Sequence, residues 1–203
     1  MRIRVRAVSA AGRGADGYTL VELLIYCLFS VVILAVVGGM LISSLTVEHE
    51  VRGLTETSSL GQVISRSVEE GARNASAIQA EPSVAAGQLL RARVAIGTSA
   101  GNVTWQCQAW YYASATNSFF WAKSTTAAIP IPLAGTDMHA APWMFLGDGV
   151  EPDGAGAAFF GSDGTNVILR FKVSSDTVDL VLIPNTVVKR QAAAGGTGPT
   201  TCF

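Results

Sequence analysis

The chain has 203 residues, 49% of them hydrophobic and 14% charged, with a formal net charge of −1. That length fits one domain plus an accessory segment. The apolar content excludes a disordered chain, and the charge balance excludes a globally basic nucleic-acid binder.

The first element is a basic leader, residues 1–17, with Arg2, Arg4, Arg6 and Arg13 against one acid, Asp16. An apolar run follows, and the 25 positions between Glu22 and Glu48 carry no charge. From Leu23 to Leu45 this run covers about 34 Å as a helix, enough to cross a bilayer. The positive flank precedes it, so the N-terminus is expected in the cytoplasm and the remainder outside. The run is long for a cleaved signal peptide and no A-x-A site follows it; an uncut signal anchor accounts for the hydropathy equally well. Cys27, inside the run, reads as a small buried hydrophobe.

Glu22 stands at the cytoplasmic mouth of this span, where a deeper acid would cost a few kcal/mol. Thr19-Leu20-Val21-Glu22 has the S/T-x-x-E pattern of a capping box, and an acid suits the positive end of the helix dipole. A helix cap with Thr19 is therefore one reading of Glu22.

Gly17-Tyr18-Thr19-Leu20-Val21-Glu22 also resembles the prepilin cleavage motif of type IV pilins and type II secretion pseudopilins. In that family a Gly ends a short basic leader. A large apolar or aromatic residue begins the mature chain, and a Glu stands at its fifth position, directly before the apolar helix. The resemblance implies cutting between Gly17 and Tyr18 by a prepilin peptidase and N-methylation of Tyr18. It also implies a role in subunit assembly for Glu22, whose carboxylate would attract the Tyr18 amino group of a neighbouring subunit. Both groups would leave water in the filament, and each is costly unpaired. Three departures stand out. Tyr18 takes a position where Phe is more usual, and Asp16 is atypical beside the cut. Gly39 occupies the place where many major pilins carry Pro, which turns the expectation toward a minor pilin. The Gly38-Gly39 pair reads either as a local weakness in the helix or as an allowance for close packing in the membrane.

Beyond the span, Val47, Val51, Leu54, Ile64 and Val68 recur at helical spacing among charges. Gly53 and Gly61 weaken that pattern, and Gly71-Ala72-Arg73-Asn74 supplies a stop. The expected divisions are a transmembrane or filament-core helix over 18–45, an amphipathic continuation over 46–78, and an extracytoplasmic β-rich domain over 79–203 with a flexible tail. Strands are expected at 89–96 and at 102–112, where Val103, Trp105, Cys107, Ala109 and Tyr111 alternate with Thr104, Gln106 and Gln108. A hairpin joins the second of these to 118–123 through Ser114-Ala115-Thr116-Asn117. After a loop rich in Ala, Pro and Gly (125–142) come short apolar pieces at 143–146 and 157–160. A second hairpin is expected between 166–173 and 177–183. The fold class is α+β: a long N-terminal helix packed on an antiparallel sheet, resembling the pilin layout.

Cys107 and Cys202 can form a disulfide if the β-rich part is exported; two reduced thiols are the alternative. No metal site and no cofactor are expected. His49 and His139 read as a helix-surface and a loop residue, and no Walker, dinucleotide or G-x-S-x-G pattern occurs, so an enzyme is not expected. The run from Gly147 to Gly154 offers acids to a cation but lacks an EF-hand pattern and reads as turns. The aromatics of the first hairpin read as core, and with 10 basic against 13 acidic residues beyond the span, nucleic acid is not supported as a partner. The function expected is a minor pilin or pseudopilin of a type IV pilus-like filament. Its partners would be other pilin subunits, a prepilin peptidase, an inner-membrane assembly platform and, before assembly, membrane lipid. Its location would be the cytoplasmic membrane and then the cell surface. The alternatives are a type II secretion pseudopilin, a competence pilin, or a signal-anchored surface binding protein that does not assemble.

Overall fold

A computed structural model describes residues 19–84, 87–99, 102–163, 165–175, 178–189 and 196–203. The leader and the Gly17-Tyr18 bond lie outside the described residues. The chain divides into two units, Met1–Glu48 and His49–Phe203. The described part of the first unit is helix alone. It belongs to α1 (Leu20–Arg73), which is helical through Gly38-Gly39.

The second unit contains the rest of α1 and nine strands. Five strands form one antiparallel sheet in the order β1 (Ala75–Val84), β2 (Gly87–Ser99), β3 (Asn102–Ala113), β4 (Ser118–Ser124), β5 (Trp143–Gly147). A second antiparallel sheet is built on β8 (Asn166–Ser175). Its hairpin partner β9 (Val178–Val188) pairs along its length, while β6 (Val150–Pro152) and β7 (Phe160–Ser162) pair with its two ends. Both expected hairpins are present. In the first, Ala113 pairs with Ser118 and Asn117 closes the turn at φ 49°, a left-handed conformation that Asn tolerates well.

Two helix expectations are corrected. The helix ends at Arg73, within the expected Gly71–Asn74 stop, where the Asn74 side-chain amide donates to the Glu70 carbonyl; a strand begins at Ala75, so the last residues of the 46–78 division, 75–78, are not helical. The buried stripe also follows the large apolar residues only in part: Ile64 and Val68 are buried as expected. Val51 is 55% exposed, and Val47 and Leu54 are exposed too. The stripe consists of Gly53, Thr57, Gly61, Ile64, Val68, Gly71 and Ala72. The glycines that weaken the periodicity sit where the helix comes closest to its neighbours. A Cβ on Gly71 would overlap the Trp110 ring, and one on Gly61 would meet Ile183. Thr57 satisfies its buried hydroxyl by donating to the carbonyls of Gly53 and Leu54.

The five-stranded sheet is covered on both faces. β3 alternates as expected, and the aromatics on both of its faces are core. Trp110 and Tyr112 join Ile64, Val68, Phe159 and Phe171 in one core, while Cys107, Ala109 and Tyr111 join Leu89, Phe120, Ile129, Trp143 and Cys202 in another. Phe159 links the two sheets. Its ring stacks on Tyr112 at 4.9 Å, Phe119 at 5.3 Å and Phe171 at 5.0 Å between centroids. Gln88 fixes its backbone from β2, accepting from the Phe159 N–H at 2.6 Å and donating to the Ala157 carbonyl at 3.1 Å.

The tail is held at more points than its cysteine. Cys107 and Cys202 form a disulfide with Cα atoms 5.3 Å apart. Upstream of it, Thr197 exchanges backbone hydrogen bonds with Val103 and Trp105, each 2.8 Å, and Arg93 donates to the Pro199 carbonyl at 2.8 Å. Gly198 takes φ +113° and runs against the Trp105 carbonyl. Residues 196–203 are therefore strapped across the outer face of the sheet, where the composition suggests looseness.

Candidate functional site: the N-terminal helix

α1 opens with a cap. The Thr19 carbonyl accepts the first helical bond from the Leu23 N–H at 3.2 Å, and its side-chain oxygen accepts from the Glu22 N–H at 3.3 Å. Thr19 thereby satisfies one of the donors that a helix start leaves open. The Glu22 backbone serves this cap while its carboxylate looks elsewhere. Oε1 of Glu22 accepts from the Tyr26 hydroxyl at 3.1 Å, one turn along the helix. An ionised carboxylate has about four acceptor sites, so a single neutral donor leaves room for a cation. Tyr26 is absent from the sequence reading, although its i,i+4 spacing from Glu22 is the signal that finds it.

The residues behind this mouth turn outward on every side. Leu20 is 78% and Leu34 69% exposed, and Phe29, Ile33, Met40 and Ile42 are exposed as well. Among the described residues there is one helix long and apolar enough to cross a membrane, and its most apolar stretch has no buried residue. Each such side chain gains about 1.5–3 kcal/mol on leaving water, so the segment calls for lipid or other helices. Cys27 is exposed with the rest, which corrects the expectation that it is buried; the chain itself supplies nothing to cover it.

Of the expected site residues, Thr19 and Glu22 are brought together at the cap, and Cys107 and Cys202 at the strap. Gly17 and Tyr18 lie outside the described residues. Two of the three acids of the 147–154 loop, Glu151 and Asp153, are committed to the chain's own groups. Glu151 accepts from the Asn117 side chain at 3.0 Å, and Asp153 faces Arg170 at 2.9 Å and Lys172 at 3.1 Å. The hydrogen bond from Lys172, together with the charges of Lys172 and Arg170, holds the Asp153 carboxyl below the usual carboxylate range. No group of three or more His, Cys, Asp or Glu is placed to hold a metal ion among the described residues. The aromatics of the first hairpin are core: Trp105, Trp110, Tyr111, Tyr112, Phe119 and Phe120 are all buried.

Comparison with known proteins returns no family model, no curated protein and no solved structure that matches this chain.

Proposed function

We propose that this chain is a minor pilin or pseudopilin, a structural subunit of a type IV pilus-like filament. It enters the cytoplasmic membrane as a precursor, is cut between Gly17 and Tyr18, is methylated at Tyr18, and assembles through the first half of α1. One observation carries the reading. A six-residue prepilin-like motif runs in register into a charge-free run of helix whose apolar side chains are left uncovered by the described residues. In the membrane, lipid covers those side chains; in a filament, the helices of other subunits do. Glu22, whose carboxylate accepts from the Tyr26 hydroxyl, would pair with the new Tyr18 ammonium of a neighbour and set the register between subunits.

Three variants separate this role from the cap. Glu22→Ala and Glu22→Gln both keep the backbone N–H that Thr19 caps, and Gln also keeps an acceptor for Tyr26. Thr19→Ala removes the cap at a cost of about 1 kcal/mol to the helix end. All three are expected to insert in the membrane. Incorporation into filaments, read by shearing and immunoblotting, is expected to fail for both Glu22 variants and to persist for Thr19→Ala. Normal incorporation of Glu22→Gln would remove the charge pairing from the account. A signal-anchored protein that never assembles would show no dependence on any of the three.

A further inference from the structure

The outer face of the five-stranded sheet carries a cavity that the filament reading does not use. The segment between β4 and β5 crosses this face and leaves a half-open cavity of about 350 Å³, the lower range of small-ligand sites. Its floor is Tyr111 and Ala113 of β3 with Ser118 and Phe120 of β4, and its roof runs from Pro132 to His139. The roof is a built structure. Leu133 N–H donates to the Thr136 hydroxyl at 2.9 Å, Thr136 N–H returns to the Leu133 carbonyl at 3.0 Å, and His139 N–H donates to Asp137 Oδ1 at 2.9 Å. The His139 ring stands edge-on to Phe120 at 5.6 Å, and Ile129 and Pro132 anchor the segment in the core.

The charge on this lining is one-sided. Asp137 is its single carboxylate, and neither Lys nor Arg contributes to it. The other large clefts differ: one carries Glu151 with Lys172, and another Glu70 with Arg66 and Lys123. Each of those clefts sets at least one base beside its acid. In this one, an anion would lose water beside Asp137 without gaining a counter-charge, whereas a cation would gain one.

We infer that this cavity binds a small molecule with an apolar ring and a cationic or uncharged polar end, and that Asp137 discriminates against anions. The site is independent of how the N-terminal helix is used.

The test uses the full chain in detergent micelles, labelled with ¹³C at the methionine methyls. Met138 lines the cavity, and Met40, on the apolar helix, reports partitioning of a probe into the micelle. The probes are tyramine and 3-(4-hydroxyphenyl)propionate, which share a ring and differ in the sign of the end group. Tyramine is expected to shift Met138 saturably below about 10 mM, and the propionate to bind about fivefold more weakly or worse. Asp137→Asn keeps an acceptor for the His139 N–H and is expected to erase that preference. Ala113→Leu, from the floor, and Ala115→Leu, from the exposed turn, are expected to reduce tyramine binding at least about fivefold by occupying the space, with unchanged melting for at least one of them. The inference is overturned if Met138 shows no saturable shift, moves only in step with Met40, or responds equally to both probes. It is also overturned if both filling variants bind as the parent does.

Discussion

Glu22 divides its work between backbone and side chain. Its N–H completes the Thr19 cap, and its carboxylate holds the Tyr26 hydroxyl. The Thr19 bond needs only the Glu22 backbone, and the carboxylate suits the positive end of the helix dipole; the proposed assembly role adds a cationic partner for it. Asp153 is a second acid whose value lies in its partners, Arg170 and Lys172. Its carboxyl is held below the usual range, so the stabilisation is present above the pKa of the unfolded chain, about 3.9, and is lost as pH falls through the lower native value. Asp153→Asn is therefore expected to lower the denaturation midpoint at neutral pH and to converge with the parent as pH falls below the usual carboxylate range. A gap that stays constant with pH would mean that the ion pairs are not its cause.

At the scale of elements, what the sequence discloses depends on whether one residue or a distant contact decides the outcome. The charge-free run, the Ser114–Asn117 turn and the alternation of β3 are local patterns, and each appears where its residues call for it. The buried stripe of α1 is not local. Gly61 reads as a weakness and Gly71 as part of a stop until Ile183 and Trp110 are known to lie against them. The partners of Trp110 and Tyr112 are likewise not local, because elements far along the chain cover them. The hold on Thr197 and Pro199 could not be read from a run of small residues either, since it consists of backbone bonds. Gly71 gives the sharpest test. On an open helix, Gly→Ala stabilises by about 1 kcal/mol, but overpacking costs about 1–3 kcal/mol. The Trp110 ring is fixed by its hydrogen bond to Ser67 at 2.8 Å, so it has little freedom to give way. Gly71→Ala is expected to lower the melting temperature of the full chain, and a rise would show that Trp110 moves aside.

The molecule as a whole combines two units with opposite relations to solvent. From His49 onward the chain gathers apolar residues into two buried cores and fastens its end with a disulfide. From Leu20 to Glu48 it is a helix that leaves its apolar residues uncovered, with one acid at its start. The apolar face of the first unit calls for lipid or other helices around it, and in the proposed function the Gly17–Glu22 motif is the route from one to the other. The candidate site was legible here because it is written in contiguous residues; the outer-face cavity, assembled from two strands and a loop, was not. The most direct test of the account is the mass of the mature N-terminus, measured on the chain isolated from cells with an active prepilin peptidase. The account predicts a chain that begins at Tyr18 and carries one added methyl group on its amine. A chain that still begins at Met1, or is cut elsewhere, would contradict it.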